Sequence, residues 1–177
     1  MMSGKLLNRT WIETPIGRIK IEEDGEAITS LYLVKEASQE SKDAREGAQA
    51  ISGIVDTTQQ ESSLLQEAKK QLQEYFAGER KVFDLPVKPQ GTPFQQKVWS
   101  ALRTIPYGET CSYGEIAAKI GNPKAARAVG GANNKNPILI VIPCHRVIGA
   151  NGAMVGFGCG LPVKEYLLLL EKKHHIL

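Results

Sequence analysis

Long apolar runs are missing from this chain of 177 residues. The longest, Ile138–Ile142 and Tyr166–Leu170, fall far short of the roughly 18 to 20 residues that a bilayer-spanning helix requires, so no membrane partner is expected. Met1–Ile12 carries Lys5 and Arg9 without an apolar stretch of signal-peptide length, which points to a protein that stays in the cytoplasm. Histidine and cysteine are scarce. The 3 histidines include the adjacent pair His174 and His175, and the 3 cysteines are Cys111, Cys144 and Cys159. They form no CxxC and no Cys/His spacing suited to a metal cage, so neither metal nor cofactor is expected. An odd number of cysteines fits free thiols in a reducing compartment better than a disulfide framework. With 42% hydrophobic and 23% charged residues the composition is that of ordinary globular proteins, which excludes a disordered or collagen-like chain. The length suits one domain or two small ones, with core enough to need no staples.

An overall charge of +3 conceals an asymmetry. Residues 1–91 hold 12 Lys and Arg against 15 Asp and Glu, whereas residues 92–177 hold 10 against 4, so the second part carries a net +6. A polyanion could be held there, although a solvated basic surface has the same composition.

The pattern along the chain is mixed. From Arg9 to Leu33, short alternating stretches (Ile19 and Ile21, Leu31 and Leu33) are separated by Pro15-Ile16-Gly17 and Glu23-Asp24-Gly25, which predicts a small antiparallel meander. Ser38–Gln60, rich in Gln, Ser, Glu and Asp, reads as a surface connection. Ser63-x-x-Gln66 has the form of a capping box before Leu64, Leu65, Ala68, Leu72, Tyr75 and Phe76, predicting a helix over 63–77. Val82–Gly91 contains Pro86 and Pro89 and reads as an interdomain linker, which places domains at 1–90 and 91–177. Thr92, Pro93 and Gln95 start the next helix, with Phe94, Val98, Leu102 and Ile105 on one face. Ser112-x-x-Glu115 opens a short helix that ends at Gly121, and Asn122-Pro123 opens a third over 123–133. Two short helices joined by a glycine-containing turn have the form of a helix-turn-helix, a pairing also used for plain packing. The third helix combines Lys124, Arg127 and nearby Lys135 with small residues, a pairing that suits a phosphate backbone. Ile138–Ile142 reads as a buried strand delivering Pro143-Cys144-His145-Arg146. Five glycines between Gly149 and Gly160 form a loop able to wrap a flat ligand, and a final helix begins at Pro162 with basic residues at its end.

Cys144 beside His145 suggests a nucleophile and its base, because a thiol needs help to become a thiolate. In extended chain, neighbouring side chains point to opposite faces, so His145 reaches the sulfur only if the backbone turns or a water relays the proton.

SYGEIA, NPKAARAVGGA, Asn136-Pro137, PCHRV and KEYLLLLE, spread between about Thr92 and Glu171, together resemble the O6-alkylguanine-DNA alkyltransferases. That resemblance implies a mixed α/β (α+β) architecture: a small N-terminal ribonuclease-H-like domain, then a mostly helical DNA-binding domain with a helix-turn-helix. It implies Cys144 as nucleophile, His145 acting on it through a water, Glu171 orienting the imidazole, Asn136 tying the active-site turn to the recognition element, and Tyr113 donating a proton to the displaced guanine. It makes Arg127 the residue that enters the base stack, with Ser112, Lys124, Ala126 and Lys135 as further DNA contacts. The same resemblance implies that Val147, Val155, Phe157, Gly158 and Cys159 line the alkylguanine pocket. Phe157 stands where many members have tyrosine, and Gly158 and Cys159 replace other small residues. Some members carry a zinc in the first domain; this chain has no Cys or His before Cys111, so the same site cannot form.

The activity this resemblance implies is direct DNA repair by a monomer acting on double-stranded DNA. The alkyl group of O6-alkylguanine, with O4-alkylthymine as a second candidate, passes irreversibly to Cys144, once per molecule. Two alternatives use the same residues. A damage sensor related to the family would lack the PCHR cysteine, and a cysteine hydrolase using Cys144, His145 and Glu171 would turn over.

Overall fold

The computed structural model describes residues 7–35 and 61–175; the predicted connection over 38–60 lies outside them. Strands β1 (Asn8–Thr14), β2 (Gly17–Glu23) and β3 (Ile28–Leu33) form the expected meander, in register through Ile12↔Ile19 and Ile21↔Leu31. Alternation puts Ile12, Ile19, Ile21 and Leu31 into the core on one face. Helix α1 (Ser63–Phe76) covers that face with Leu65, Ala68, Leu72 and Tyr75. Its cap is one residue earlier than predicted: Ser62 accepts from the Leu65 amide, and Gln66 donates to the Glu61 carbonyl instead of closing a box.

The free edge of β3 receives two later segments. Ile28 donates to the Pro86 carbonyl (2.8 Å) and accepts from Lys88 (2.8 Å), so the segment read as a linker is stitched to the sheet, with Leu85 buried. Leu31 likewise donates to Pro137 (2.9 Å) and accepts from Leu139 (2.8 Å). Each pairing covers edge amides that would otherwise be unsatisfied. The second anchors the chain just before the turn that leads into Cys144.

Helix α2 (Pro93–Leu102) and helix α3 (Tyr113–Lys119) begin as predicted, with the Thr92/Gln95 and Ser112/Glu115 capping boxes both closed. Helix α4 (Ala126–Asn134) starts later than expected. Asn122 and Pro123 form a turn closed by Ala125 N–H to the Asn122 carbonyl (3.0 Å), positions these residue types favour, and no side chain caps the helix. Trp99 locks α2 to α4 by donating its indole N–H to the Ala132 carbonyl at 2.9 Å.

Ile138–Ile142 is not a strand. Ile138 bridges β3, and the chain then folds into a tight buried turn in which Ile142 donates to Ile138 (3.0 Å) and Ile140 adopts a left-handed φ of 71°. A short all-apolar run signals burial without specifying conformation, which explains the error. A single 3-10 turn, Cys144–Arg146, follows, then β5 (Val147–Ile148). β5 pairs in parallel with β4 (Cys111–Ser112), at the start of the helix-turn-helix. Helix α5 (Leu161–His175) closes the fold. No described helix is long and apolar enough to cross a membrane.

Candidate active site and nucleic-acid interface

The 3-10 turn supplies the backbone reversal that an extended Cys-His pair would lack. Two asparagines hold it. Asn136 donates Nδ2 to the Ile142 carbonyl (2.7 Å) and accepts from the Ile138 amide (2.9 Å), bracing the tight turn that leads into Cys144. Asn133, on α4, donates to the Cys144 carbonyl at 3.3 Å. Helix α4 is thus tied directly to the turn that carries Cys144.

Glu171 is fully buried at the centre of a charged network. Its Oε1 lies 2.6 Å from His145 Nε2 and accepts from Arg146 Nη2 (2.9 Å) and Tyr75 Oη (2.7 Å). Its Oε2 accepts from Arg146 Nε (2.9 Å) and the Gly108 amide (3.2 Å). Burial works against this carboxylate, but the His145 and Arg146 contacts prevail and hold its pKa far below the usual range. Gly108 reaches it from a backbone at φ 79°, where a Cβ would lie 2.5 Å from the His175 ring, so only glycine fits.

Burial lowers the His145 pKa, with Glu171 opposing, so the imidazole is neutral at pH 7. An ionised Glu171 selects the tautomer with the proton on Nε2. Nδ1 is then a bare acceptor, buried and without a hydrogen-bond partner among the described residues. The Cys144 thiol, 4% exposed, is pushed up to about 11 by burial, opposed by Asn136 and by Lys164. The resting site therefore holds a protonated thiol beside a histidine free to take a proton.

Lys164 is fully buried and donates to the carbonyls of Val147 (2.5 Å) and Val155 (3.1 Å), fixing the glycine loop to β5. Its Nζ lies 5.9 Å from the Phe157 ring. Tyr113 Oη donates to the Val155 carbonyl at 2.8 Å, and a Cβ on Gly158 would stand 3.3 Å from the Asn134 carbonyl. Of the expected pocket residues, Val147 is buried, Phe157 and Cys159 are half-buried, and Val155 and Gly158 are exposed, all on β5 or this loop.

The expected DNA contacts are arranged differently. Lys124, Arg127 and Lys135 are exposed and have no ion pair among the described residues. Lys124 and Arg127 sit at the amino end of α4, and Lys135 is its C-cap, roughly 12 Å along the axis from Arg127 at 1.5 Å per residue. Ala126 opens α4, whereas the Ser112 hydroxyl accepts from the Glu115 amide as an N-cap. Sequence reading missed Arg146, Tyr75, Gly108, Lys164 and Asn133. Arg146 was visible within PCHR, but its partner is 25 positions away, and Tyr75 was read only as a core residue.

A ribonuclease-like first part joined to a DNA-binding second part is the class these features define. Residues 7–89 match the family described as the ribonuclease-like domain of 6-O-methylguanine DNA methyltransferase, and residues 93–173 match that protein's DNA-binding domain. The chain belongs to the 6-O-methylguanine DNA methyltransferase family. It is 50% identical over 159 residues to the methylated-DNA--protein-cysteine methyltransferase of Methanosarcina acetivorans, covering 90% of this chain and 94% of that protein. It is 49% identical over 164 residues to the constitutive enzyme of that name from Bacillus subtilis, covering 92% and 94%. The crystal structure of Mycobacterium tuberculosis OGT in complex with DNA superposes with a TM-score of 0.77 at 44% identity, covering 94% of this chain and 93% of that one.

Proposed function

We propose that this protein repairs double-stranded DNA by moving the alkyl group of O6-alkylguanine onto Cys144, as the names of its relatives indicate. The observation that carries the assignment is the pairing of a buried, protonated Cys144 with a neutral His145 whose Nε2 faces Glu171 and whose Nδ1 is uncommitted. The Cys144 proton passes to Nδ1 through a water, and Glu171 stabilises the imidazolium. Thiolate Sγ attacks the alkyl carbon; the S–C bond forms as the C–O6 bond breaks, and the electron pair leaves on O6. Tyr113 donates a proton to the departing guanine and recovers one from the histidinium, so the net proton transfer runs from thiol to base. Val147, Val155, Phe157, Gly158 and Cys159 form the pocket wall. The thioether has no onward route among these residues, and each molecule reacts once.

Arg127 fills the stack left by the extruded nucleotide, and Lys124, Lys135, Ser112 and Ala126 contact the backbone beside it. The uncapped amino end of α4 adds unpartnered amides suited to phosphate. We read the protein as a cytoplasmic monomer with its division near residue 90. O4-alkylthymine would be a second substrate for the same displacement. The test is to mix the protein with a duplex bearing O6-methylguanine and weigh it: one methyl increment on the peptide containing Cys144 is expected. An unchanged mass would favour a damage sensor, and repeated turnover of an ester would favour a hydrolase.

A further inference from the structure

A cavity of about 180 Å³ adjoins the turn that leads into Cys144, with Lys81, Arg103 and Arg146 around it and no Asp or Glu in its lining. Three segments distant in sequence meet there: 81–83, 103–107 and 140–146. Arg146 is matched by Glu171, but Lys81 and Arg103 have no ion pair among the described residues. Lys81 Nζ and Arg146 Cζ lie 5.9 Å and 5.7 Å from the centre of the same Tyr107 ring, so two cations adjoin one aromatic side chain. An anion held near both would lower their mutual repulsion.

Arg146 is also incompletely used. Of the five guanidinium N–H groups, one on Nε and one on each terminal nitrogen donate to Glu171 or to the Ile105 carbonyl. One N–H on each terminal nitrogen is uncommitted, on a side chain only 8% exposed that lines the cavity. Buried donors of this kind have a high demand for an acceptor.

We propose that this cavity binds a tetrahedral oxyanion of the phosphate class, held by Lys81, Arg103 and the free N–H groups of Arg146. The occupant is either the free ion or a backbone phosphate of nucleic acid. The inference stands apart from alkyl transfer, since it uses neither Cys144 nor the flipped base. By joining three separate segments, the anion stabilises the whole fold through mass action.

The test is thermal unfolding of the full chain in inorganic phosphate against sodium chloride at matched ionic strength. Phosphate should stabilise in a saturable manner, and at ten times its Kd the folded-to-unfolded ratio should rise about elevenfold. The double variant Lys81→Met with Arg103→Met keeps the apolar stems and should weaken apparent phosphate affinity by about tenfold or more, with reaction on free O6-methylguanine unchanged. Lys124→Ala with Lys135→Ala should keep the full phosphate response. Stabilisation no greater than that of chloride, or a full response in the Lys81/Arg103 variant, overturns the proposal. Repeating the titration with saturating undamaged duplex separates the occupants: a lost phosphate effect identifies a DNA backbone group, and a retained one identifies a free ion.

Discussion

Around Glu171 the charges are buried and matched, whereas along α4 they are exposed and unmatched. Glu171 accepts from His145, Arg146, Tyr75 and Gly108 inside the core, while Lys124, Arg127 and Lys135 extend into solvent without an ion pair among the described residues. The difference separates two kinds of work. Chemistry on a thiol pushed up to about 11 needs a base held in one tautomer, and that requires a carboxylate fixed from several sides. On the proposed reading of α4, holding DNA needs cations free to meet phosphates and release counterions, and internal partners would spoil them. Substitutions in the first region should thus change reaction and stability, and those in the second should change affinity.

The sharpest break is Cys144→Ser. It should bind alkylated duplex normally and accept no alkyl group, as read by intact mass, while Cys111→Ser and Cys159→Ser remain active. Next comes Glu171→Ala. Losing this buried carboxylate leaves the Arg146 guanidinium uncompensated and should cost about 3 to 5 kcal/mol in urea unfolding.

The same network gives a pH dependence. His145 and Glu171 both have lowered folded pKa values, so each contributes stability that is complete above its unfolded value and is lost as pH falls towards the folded one. Denaturation midpoints should fall as pH drops below about 6.5, the ordinary His145 value, and fall further below 4.5, that of Glu171. A midpoint flat from pH 7 to pH 4 would mean the network is not formed.

Smaller effects belong to α4. Arg127→Ala should slow repair of duplex by about tenfold to a hundredfold, matching a few kcal/mol for an extruded base, with little change on free O6-methylguanine. Equal losses on both substrates would move Arg127 from the recognition surface into the chemistry. Lys124→Ala should do least, lowering the slope of log affinity against log salt by about one unit in binding titrations.

Legibility in the sequence followed the range of each signal. Thr92/Gln95 and Ser112/Glu115 act across three residues, so their capping boxes could be read directly. Family resemblance drew attention to Cys144, His145 and Glu171, and the geometry links the histidine and the carboxylate at 2.6 Å. Ile138–Ile142 misled because its hydrophobicity reports burial, and the bend at Ile140 comes from tertiary hydrogen bonds that periodicity cannot see. Lys164 gave no signal in the sequence, because its partners Val147 and Val155 offer backbone carbonyls, which leave no mark in side-chain pattern.

Tyr75, on the helix that covers the meander, donates to a carboxylate 96 positions later in the chain. During synthesis Tyr75 emerges first, Cys144 next and Glu171 last, so the ribosome delivers the thiol before the group that steadies its base. A released chain truncated before Glu171 should therefore carry a Cys144 that fails to react with free O6-methylguanine, and labelling of such a chain would disprove this. On the reaction proposed above, that order would serve a single-use reagent: Cys144 would become competent only once the helices carrying Tyr75 and Glu171 had met, and unfinished chains would not be spent on stray electrophiles.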